Sequence, residues 1–253
     1  MWNNGLMFNP DDIHIVLIGN DRQLDYRINL EILRYNFVYG DQLWITTVYN
    51  GDEDKLPSGI GENSFIHIKE NRGYGLGALD AFNEGLGYAS IGYRPIVVLF
   101  NFDVWFFTDG GFKLWVEDFQ KSRKLFGAGL LPDHELPMTD CMIFKKDMLN
   151  KILPIEDKVL KYRQEDKRLV EMYEDTQLGF YNMEEFMLYS IQRSSADVEI
   201  NDMWWQYQRD GAPRYRWTEK YTLAHSHDYE ERKQLLKKYE ITKGRMIPEF
   251  LNQ

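Results

Sequence analysis

Four short, predominantly apolar runs, each followed at once by polar residues, constrain the fold of this chain more than any other feature. The runs lie at 13–18, 43–49, 64–68 and 96–100. Such runs are typical of strands that are buried on both faces of a parallel sheet. Between the first two runs, an apolar stripe at helical spacing is formed by Leu24, Ile28, Ile32 and Tyr35. The pattern therefore predicts an α/β fold, a doubly wound layer with right-handed crossovers.

The rest of the chain extends this pattern less regularly. A helix with Leu76, Leu79, Phe82 and Leu86 on one face precedes the fourth run. Further strands are expected at 127–131, 141–144 and 198–200, and further helices around 183–190 and at 229–239. The highly charged segment 156–174 is expected to be a helix or a mobile lid. No break in composition marks a boundary, so we expect a single domain with a mixed, mainly parallel sheet flanked by helices.

Charge and composition limit the partners of the protein. Lys and Arg total 30 against 40 Asp and Glu, a net charge of −10, whereas nucleic-acid-binding surfaces normally carry a basic excess. Nucleic acid is therefore not expected as a partner. The single cysteine, Cys141, excludes an internal disulfide framework and a thiolate zinc site. No apolar run is long enough to span a bilayer, and no secretory signal is visible, so we expect a cytoplasmic protein.

Asp103 is the most informative single residue. It follows the fourth predicted strand and precedes the apolar residues 104–107, where a carboxylate is costly unless it is solvated, hydrogen-bonded or bound to a cation. One interpretation is an Asp that caps a helix or orders a loop. The other is a ligand of Mg²⁺ or Mn²⁺, an ion that takes its remaining ligands from water and from two phosphates of a substrate.

Three glycines at alternate positions, Gly73, Gly75 and Gly77, follow the third predicted strand. Their spacing does not match the G-x-G-x-x-G of dinucleotide-binding folds, and no Lys-Ser or Lys-Thr follows as in a P-loop. One interpretation is that they let the next helix pack closely on the sheet. The other is that Arg72 and the N-terminus of that helix attract an anionic group.

The polar residues after the strands resemble the nucleotide-sugar half of family-two-like glycosyltransferases with the GT-A fold. The resemblance is carried by Asn20-Asp21-Arg22, Asn50-Gly51-Asp52, Asn71-Arg72-Gly73, Asn83-Glu84-Gly85 and Asn101-Phe102-Asp103. The last of these matches the D-x-D motif of the family, with Asn101 in place of its first Asp and Asp103 as its metal-binding second Asp. The resemblance implies a nucleotide-sugar-binding half at 12–110 and an acceptor-binding half at 111–253.

The resemblance also implies the ligands of the site. Asp103 would bind Mn²⁺ or Mg²⁺, and a late histidine, His225 or His227, would complete the metal shell, although one of the two could instead cap the helix that begins near Asp228. The donor would be a nucleoside-diphosphate sugar, with a UDP-sugar favoured, bound by Asn20, Arg22, Asp52, Arg72 and Asn101. The remaining histidines, which are expected to be structural, are His14, His67 and His134.

Members of this family carry an acidic pair whose carboxylate deprotonates the acceptor hydroxyl. Two pairs are candidates here, Glu174-Asp175 and Glu184-Glu185. The first is closer to the Glu-Asp sequence that is usual in the family, and the second lies at a better distance from the strand expected at 198–200. We favour Glu185, with Glu184 beside it and Asp175 as the alternative, although each pair could be a solvated helix face. The cluster at 204–207 is interpreted as core or as part of the acceptor pocket.

The expected function is a metal-dependent glycosyltransferase that moves a sugar from its nucleoside diphosphate to a hydroxyl of a glycan or another acceptor. In-line attack predicts inversion at the anomeric carbon. A nucleotidyltransferase of similar fold is a second candidate, although Gly19-Asn20-Asp21-Arg22 lacks the Gly-rich, basic loop of such enzymes. A nucleotide- or carbohydrate-binding homologue that has lost turnover is a third.

Overall fold

The computed structural model describes most of the first 155 residues and parts of the remainder. The described residues are 8–56, 61–72, 76–130, 137–155, 187, 190–191, 194, 200–203, 206–207, 216–225, 228–242 and 246–253. The charged segment expected as a helix or lid at 156–174 lies outside them.

A seven-stranded sheet forms the centre of the fold. Its strands are β1 (Ile13–Gly19), β2 (Trp44–Tyr49), β3 (Ser64–His67), β4 (Ile96–Asn101), β6 (Phe126–Leu130), β7 (Pro137–Lys145) and β8 (Ile200–Asp202). The order is β3-β2-β1-β4-β7-β6-β8. All neighbours are parallel except β7, which runs antiparallel to both β4 and β6. The structure confirms the predicted α/β class with a mainly parallel sheet.

Helices cover both faces of this sheet because the strand side chains point alternately to either side. On one face Ile15 and Leu17 pack with α1 (Gln23–Glu31) and α3 (Asp109–Ser122). On the other face Val16 and Ile18 pack with helices α2 (Leu76–Ile91) and α4 (Lys146–Ile152). The side chains of β1 between its ends are therefore buried on both faces, as its predominantly apolar sequence predicts.

The first helix differs from its predicted stripe at its C-terminal end. Ile28 and Ile32 are fully buried, but Tyr35 is 53% exposed. A π-helical turn at Ile32–Asn36 follows α1 directly. Such a turn has more residues per turn than an α-helix, so it rotates Tyr35 away from the face on which Ile28 lies.

A second sheet of four antiparallel strands was not expected from the sequence. Its order is β5-β11-β10-β9, with β5 at Val104–Phe106, β9 at Gln206–Tyr207, β10 at Arg216–Thr218 and β11 at Leu223–His225. Each strand has two or three residues, too few to show a periodic pattern. The pairing of β5 with β11 places His225 opposite Val104, next to Asp103 in sequence.

Two helices, α5 (Tyr229–Lys238) and α6 (Met246–Asn252), close the described part of the chain. The N-cap of α5 is Asp228, whose carboxylate accepts a hydrogen bond of 2.8 Å from the backbone N–H of Glu231. This confirms the terminal helix expected at 229–239. Among the described residues, no helix combines the length and the apolar character that crossing a membrane requires.

Candidate functional site

The order of the strands creates a crevice between β1 and β4. The chain passes from β1 outward through β2 and β3, and then returns to the opposite side of β1 as β4. In open α/β sheets, ligands bind at such a switch point, beyond the carboxyl ends of the strands. Arg22 follows β1 here, and Asp103 follows β4.

The side chains of Arg22 and His225 at this crevice both contact the carboxylate of Asp103. Asp103 is only 5% exposed. Its Oδ2 accepts a hydrogen bond from Nη1 of Arg22, and it lies 3.1 Å from Nε2 of His225. Its burial is therefore accompanied by hydrogen bonds and by a cationic partner, as the cost of burying a carboxylate requires.

A second carboxylate lies on the far side of the imidazole. Oδ2 of Asp140 is 3.6 Å from Nδ1 of His225, and Oδ1 of Asp140 accepts a hydrogen bond of 3.3 Å from the side-chain amide of Asn101. His225 is 3% exposed, so its ring is enclosed between Asp103 and Asp140. Asn101, Asp103, Asp140 and His225 thus form one contiguous group beside the carboxyl end of β4.

The backbone around Asp103 is fixed by buried donors. Nδ2 of Asn29 donates to the carbonyl oxygens of Phe102 at 3.2 Å and Val104 at 2.8 Å, the two residues that flank Asp103. The indole N–H of Trp105 donates to the same Phe102 oxygen at 3.0 Å. These bonds hold the short link between β4 and β5, and therefore the direction in which Asp103 points.

The end of β1 approaches this link so closely that it needs a glycine. A Cβ at Gly19 would lie 2.3 Å from Cδ2 of Phe102, far inside van der Waals contact. Phe102 is buried and packs its ring 5.0 Å from that of Tyr26 on α1. The glycine therefore permits β1 and the link before Asp103 to meet.

The polar residues after β1 and β2 contact one another beside the crevice. The carboxylate of Asp21 accepts a hydrogen bond of 3.2 Å from the hydroxyl of Tyr49 and lies 3.4 Å from Nζ of Lys55. Lys55 also pairs with Asp52 at 2.9 Å. Burial and the negative charge of Asp21 raise the pKa of Tyr49 to about 12. Asn20 is exposed at the end of β1.

Arg72, which was expected near an anionic group, contacts a carboxylate of the protein. Its Nε and Nη2 donate to the two oxygens of Asp80 on α2 at 2.6 and 2.5 Å. Asp80 also lines an open cleft of about 370 Å³ between β3 and α2, together with Ile66, His67, Ile68, Asn83 and Glu84. The carboxylates of this cleft disfavour an anion inside it.

The structure supports the packing interpretation at Gly77. A Cβ there would lie 2.5 Å from Oδ1 of Asn71 and 2.6 Å from Nδ2 of Asn50. The amide of Asn71 in turn donates to the backbone oxygen of Asn50 at 3.0 Å. The glycine lets α2 approach the residues that follow β2, as expected for a close helix-to-sheet contact.

Of the predicted site residues, the structure brings together Asp103, His225, Arg22 and Asn101. The favoured base Glu185, its neighbour Glu184, the alternative pair Glu174-Asp175, and His227 lie outside the described residues. His14 and His67 are in strands, as expected for structural histidines, and bond to Thr46 Oγ1 and Gly51 O; His134 is outside the described residues.

Sequence reasoning missed Asp140 and Asn29. Asp140 precedes the apolar run at 141–144, and it reaches the crevice because β7 runs antiparallel to β4. Recognising that antiparallel pairing would have revealed it. Asn29 gives no comparable signal, because an amide in a helical stripe does not indicate which backbone oxygens it contacts.

Two groups at the crevice, a carboxylate and an imidazole, are of the kinds that bind a divalent cation. Oδ2 of Asp103 and Nε2 of His225 are 3.1 Å apart, close to the spacing of about 3 Å for adjacent ligands of an octahedral ion with bonds of about 2.1 Å. Asp140 faces the other ring nitrogen, the arrangement in which a carboxylate orients a metal-binding histidine. No group of three or more His, Cys, Asp or Glu side chains suited to a metal occurs among the described residues. An ion on Asp103 and His225 would take its other ligands from water and substrate.

Comparisons with known proteins show that the fold of this chain is similar to that of several solved structures. No protein-family model matches the chain, and no curated protein sequence matches it. The structure is similar to a mannosyltransferase from Pyrobaculum calidifontis in complex with GDP-Man and Mn²⁺, at 13% identity and a TM-score of 0.40, over 57% of this chain and 49% of that chain. The chain thus spans about half the length of that mannosyltransferase.

Two further solved structures are similar to the chain. Mouse xyloside xylosyltransferase 1 has 10% identity and a TM-score of 0.40, over 75% of this chain and 84% of that chain. A cytidylyltransferase from Leptospira borgpetersenii has 14% identity and a TM-score of 0.38, over 62% of this chain and 72% of that chain.

Proposed function

We propose that the protein is a metal-dependent, inverting glycosyltransferase that uses a nucleoside-diphosphate sugar, with a UDP-sugar as the first candidate. The observation that carries this proposal is the buried Asp103 carboxylate beside His225, at the switch point between β1 and β4. This is the edge of an α/β sheet where a nucleotide is expected to bind. We place the reaction in the cytoplasm on the basis of the sequence alone.

The proposed roles follow from charge. Asp103 and His225 would hold Mn²⁺ or Mg²⁺, and the bound ion supplies positive charge against the diphosphate leaving group. Asp140 would orient the imidazole of His225. Asn101 can donate a hydrogen bond to the nucleotide sugar from the position where the related enzymes have an Asp. Asn20, Arg22, Asp52 and Arg72 are proposed as further donor-binding residues around this edge.

The acceptor side of the reaction is proposed from the sequence. Glu185 would accept the proton of the acceptor hydroxyl while the glycosidic bond forms, with Glu184 beside it; Asp175 is the alternative base. The acceptor oxygen gains a bond to the anomeric carbon as the bond to the diphosphate oxygen breaks. Attack on the face opposite the leaving group would invert the anomeric configuration. The acceptor itself is proposed only as a hydroxyl of a glycan or a similar molecule.

The first test measures thermal unfolding with UDP, GDP, CDP and dTDP, each with and without Mn²⁺. A ligand at a hundred times its Kd stabilises a protein by about 2.7 kcal/mol, and each kcal/mol shifts the Tm of a domain of this size by about 2–4 °C. We expect one nucleotide to raise the Tm only when Mn²⁺ is present. Asp103→Asn should abolish this shift because it removes the negative charge that attracts the ion.

The control for this test is Asp147→Asn, which makes the same charge change at an exposed position of α4. Asp147 lies near the end of β7 that pairs with the start of β4, the opposite edge of the sheet. The control should keep the full shift. An Asp103→Asn protein that folds and still shows the Mn²⁺-dependent shift would contradict the metal assignment. Nucleotide binding without sugar transfer to any acceptor would instead favour a binding homologue, and release of pyrophosphate from a nucleoside triphosphate would favour nucleotidyl transfer.

A further inference from the structure

Arg22 lies between two buried carboxylates. Its Nη1 donates to Oδ2 of Asp103, and the same nitrogen is 3.6 Å from Oδ2 of Asp25. Both aspartates are 5% exposed, whereas the side chain of Arg22 retains 36% of its exposure. The guanidinium is thus the most accessible member of the three, and one of its nitrogens lies within ion-pair distance of both carboxylates.

Asp25 is held in place from the opposite side. Nη1 of Arg232, on α5, lies 3.3 Å from Oδ1 and 3.3 Å from Oδ2 of Asp25. The guanidinium carbon of Arg232 lies 5.9 Å from the ring centre of Trp105, on β5. Asp25 is therefore a fixed acceptor at the position to which Arg22 would move.

We propose that Arg22 and a divalent cation compete for Oδ2 of Asp103, and that Asp25 receives the guanidinium when the ion binds. This inference rests on the proposed function, because it requires the ion to bind at Asp103 and His225. Arg22 is then a residue that sets the affinity of the site for its ion. In the ion-free site, the guanidinium of Arg22 occupies Oδ2 of Asp103.

The physical reason is that the guanidinium of Arg22 already engages Oδ2 of Asp103 in the ion-free site. The two cations also repel each other strongly at contact distance in a buried site. When the guanidinium moves to Asp25, this repulsion is removed and the guanidinium still contacts a carboxylate. The energy that the ion gains at Asp103 is reduced by the Arg22–Asp103 interaction that it must break.

The test measures Mn²⁺ binding by titration calorimetry at fixed pH, without nucleotide, so that activity plays no part. Arg22→Met removes the competing charge and keeps a side chain of similar length. A coupling of ordinary size predicts that its Kd for Mn²⁺ falls by at least about fivefold relative to the unaltered protein. Arg123→Met, which removes an exposed arginine directly after α3 to which no role in the site is assigned, is the matched control and should change the Kd by less than about twofold.

A second variant separates competition from simple loss of positive charge. Asp25→Asn removes the receiving carboxylate, so Arg22 should stay on Asp103 and weaken Mn²⁺ binding by about fivefold. In an Arg22→Met background, the same change should have an effect of less than about twofold, because no guanidinium remains to be received. If Asp25→Asn does not fold, as judged by circular dichroism, Arg22→Met and its control still decide the question.

Each outcome has a distinct meaning. An unchanged or higher Kd for Arg22→Met, or equal effects of Asp25→Asn in both backgrounds, overturns the competition but leaves the metal site in place. Mn²⁺ that binds the unaltered protein and not Asp103→Asn confirms that the ion uses this carboxylate. If neither the unaltered protein nor Arg22→Met binds Mn²⁺, both the competition and the metal dependence of the proposed function fail.

Discussion

His14 shows how strongly the surroundings of one residue set its chemistry in this fold. It lies in β1, is 2% exposed, and has its Nε2 2.8 Å from Oγ1 of Thr46. Burial, and then the positive charge of Arg94, lower its pKa from 6.5 to about 4. The folded protein therefore keeps His14 neutral at pH values where the unfolded chain binds a proton.

This difference predicts a pH-dependent stability. Between pH 6.5 and 4 the unfolded state binds more protons than the folded state, so the free energy of unfolding falls as the pH is lowered. His14→Gln should lose this contribution, and the stability difference between the two proteins should change by roughly 3 kcal/mol over that range. Urea unfolding at pH 7 and pH 4.5 measures it. An equal pH response of His14→Gln and the unaltered protein would contradict the assignment.

The sequence can indicate that a residue is functional when its neighbours show that its position is energetically costly. Asp103 was found because a carboxylate follows a buried strand and precedes an apolar run. Its contacts with Arg22 and His225 could be expected only from strand order and from a family resemblance. Asp140 and Asn29 could not be found, since their relevance depends on an antiparallel pairing and on backbone oxygens that no local pattern reveals.

Among the elements, β1 and the link from β4 to β5 approach each other closely at the site. The absence of a side chain at Gly19 allows the ring of Phe102 to lie against the strand. Phe102 is the residue before Asp103, so this contact helps to set where the carboxylate lies. A side chain at position 19 must displace the ring, the link or the end of β1.

Gly19→Ala should therefore destabilise the protein by about 1–3 kcal/mol, the usual cost of overpacking a core. The same change should weaken Mn²⁺-dependent nucleotide binding. A combined Gly19→Ala and Phe102→Ala protein should lose less stability than the sum of the two single changes, because the second change makes room for the first. Denaturant unfolding measures all three proteins.

Gly87→Ala provides the control for this prediction. It makes the same chemical change in α2, where a Cβ would meet nothing within 4 Å. Since Ala favours a helix over Gly, this variant should be stabilised by roughly 0.5–1 kcal/mol. Strictly additive effects of Gly19→Ala and Phe102→Ala would show that the ring is not the obstacle.

The elements predicted correctly are those with long or uninterrupted patterns. β1, β2, β3 and β4 were expected within about one residue of their observed ends, because each is apolar over most of its length. The small sheet was not predicted, since β5, β9, β10 and β11 are held by pairing across long sequence separations. The position of His225 at the site could therefore not be predicted from strand patterns, because His225 lies on β11.

On the scale of the whole molecule, a large apolar cluster among the described residues joins α6 to the site. This cluster contains residues of β1, β4, β5 and β11 and extends to Ile247 and Phe250 of α6. Phe250 is 1% exposed and its ring centre lies 4.9 Å from that of Tyr229 on α5. The C-terminal helices are therefore part of the core that supports both sheets.

Phe250→Ala should lower the free energy of unfolding by about 3–5 kcal/mol, the range for truncating a buried Phe. The corresponding fall in Tm is about 2–4 °C per kcal/mol for a domain of this size, and differential scanning calorimetry measures it. Tyr93→Ala, at a position that is 77% exposed, should change stability by less than about 0.5 kcal/mol. A Phe250→Ala protein as stable as this control would show that α6 is not part of the core.

The pairing of β11 with β5 has a consequence for how the protein is made. His225 meets Asp103 although 122 residues separate them in the chain. A ribosome therefore completes β1 to β4 and exposes the aspartate long before the histidine exists. The nascent polypeptide acquires this half of the crevice only after position 225 has been synthesised, and a fragment released before that point would lack it.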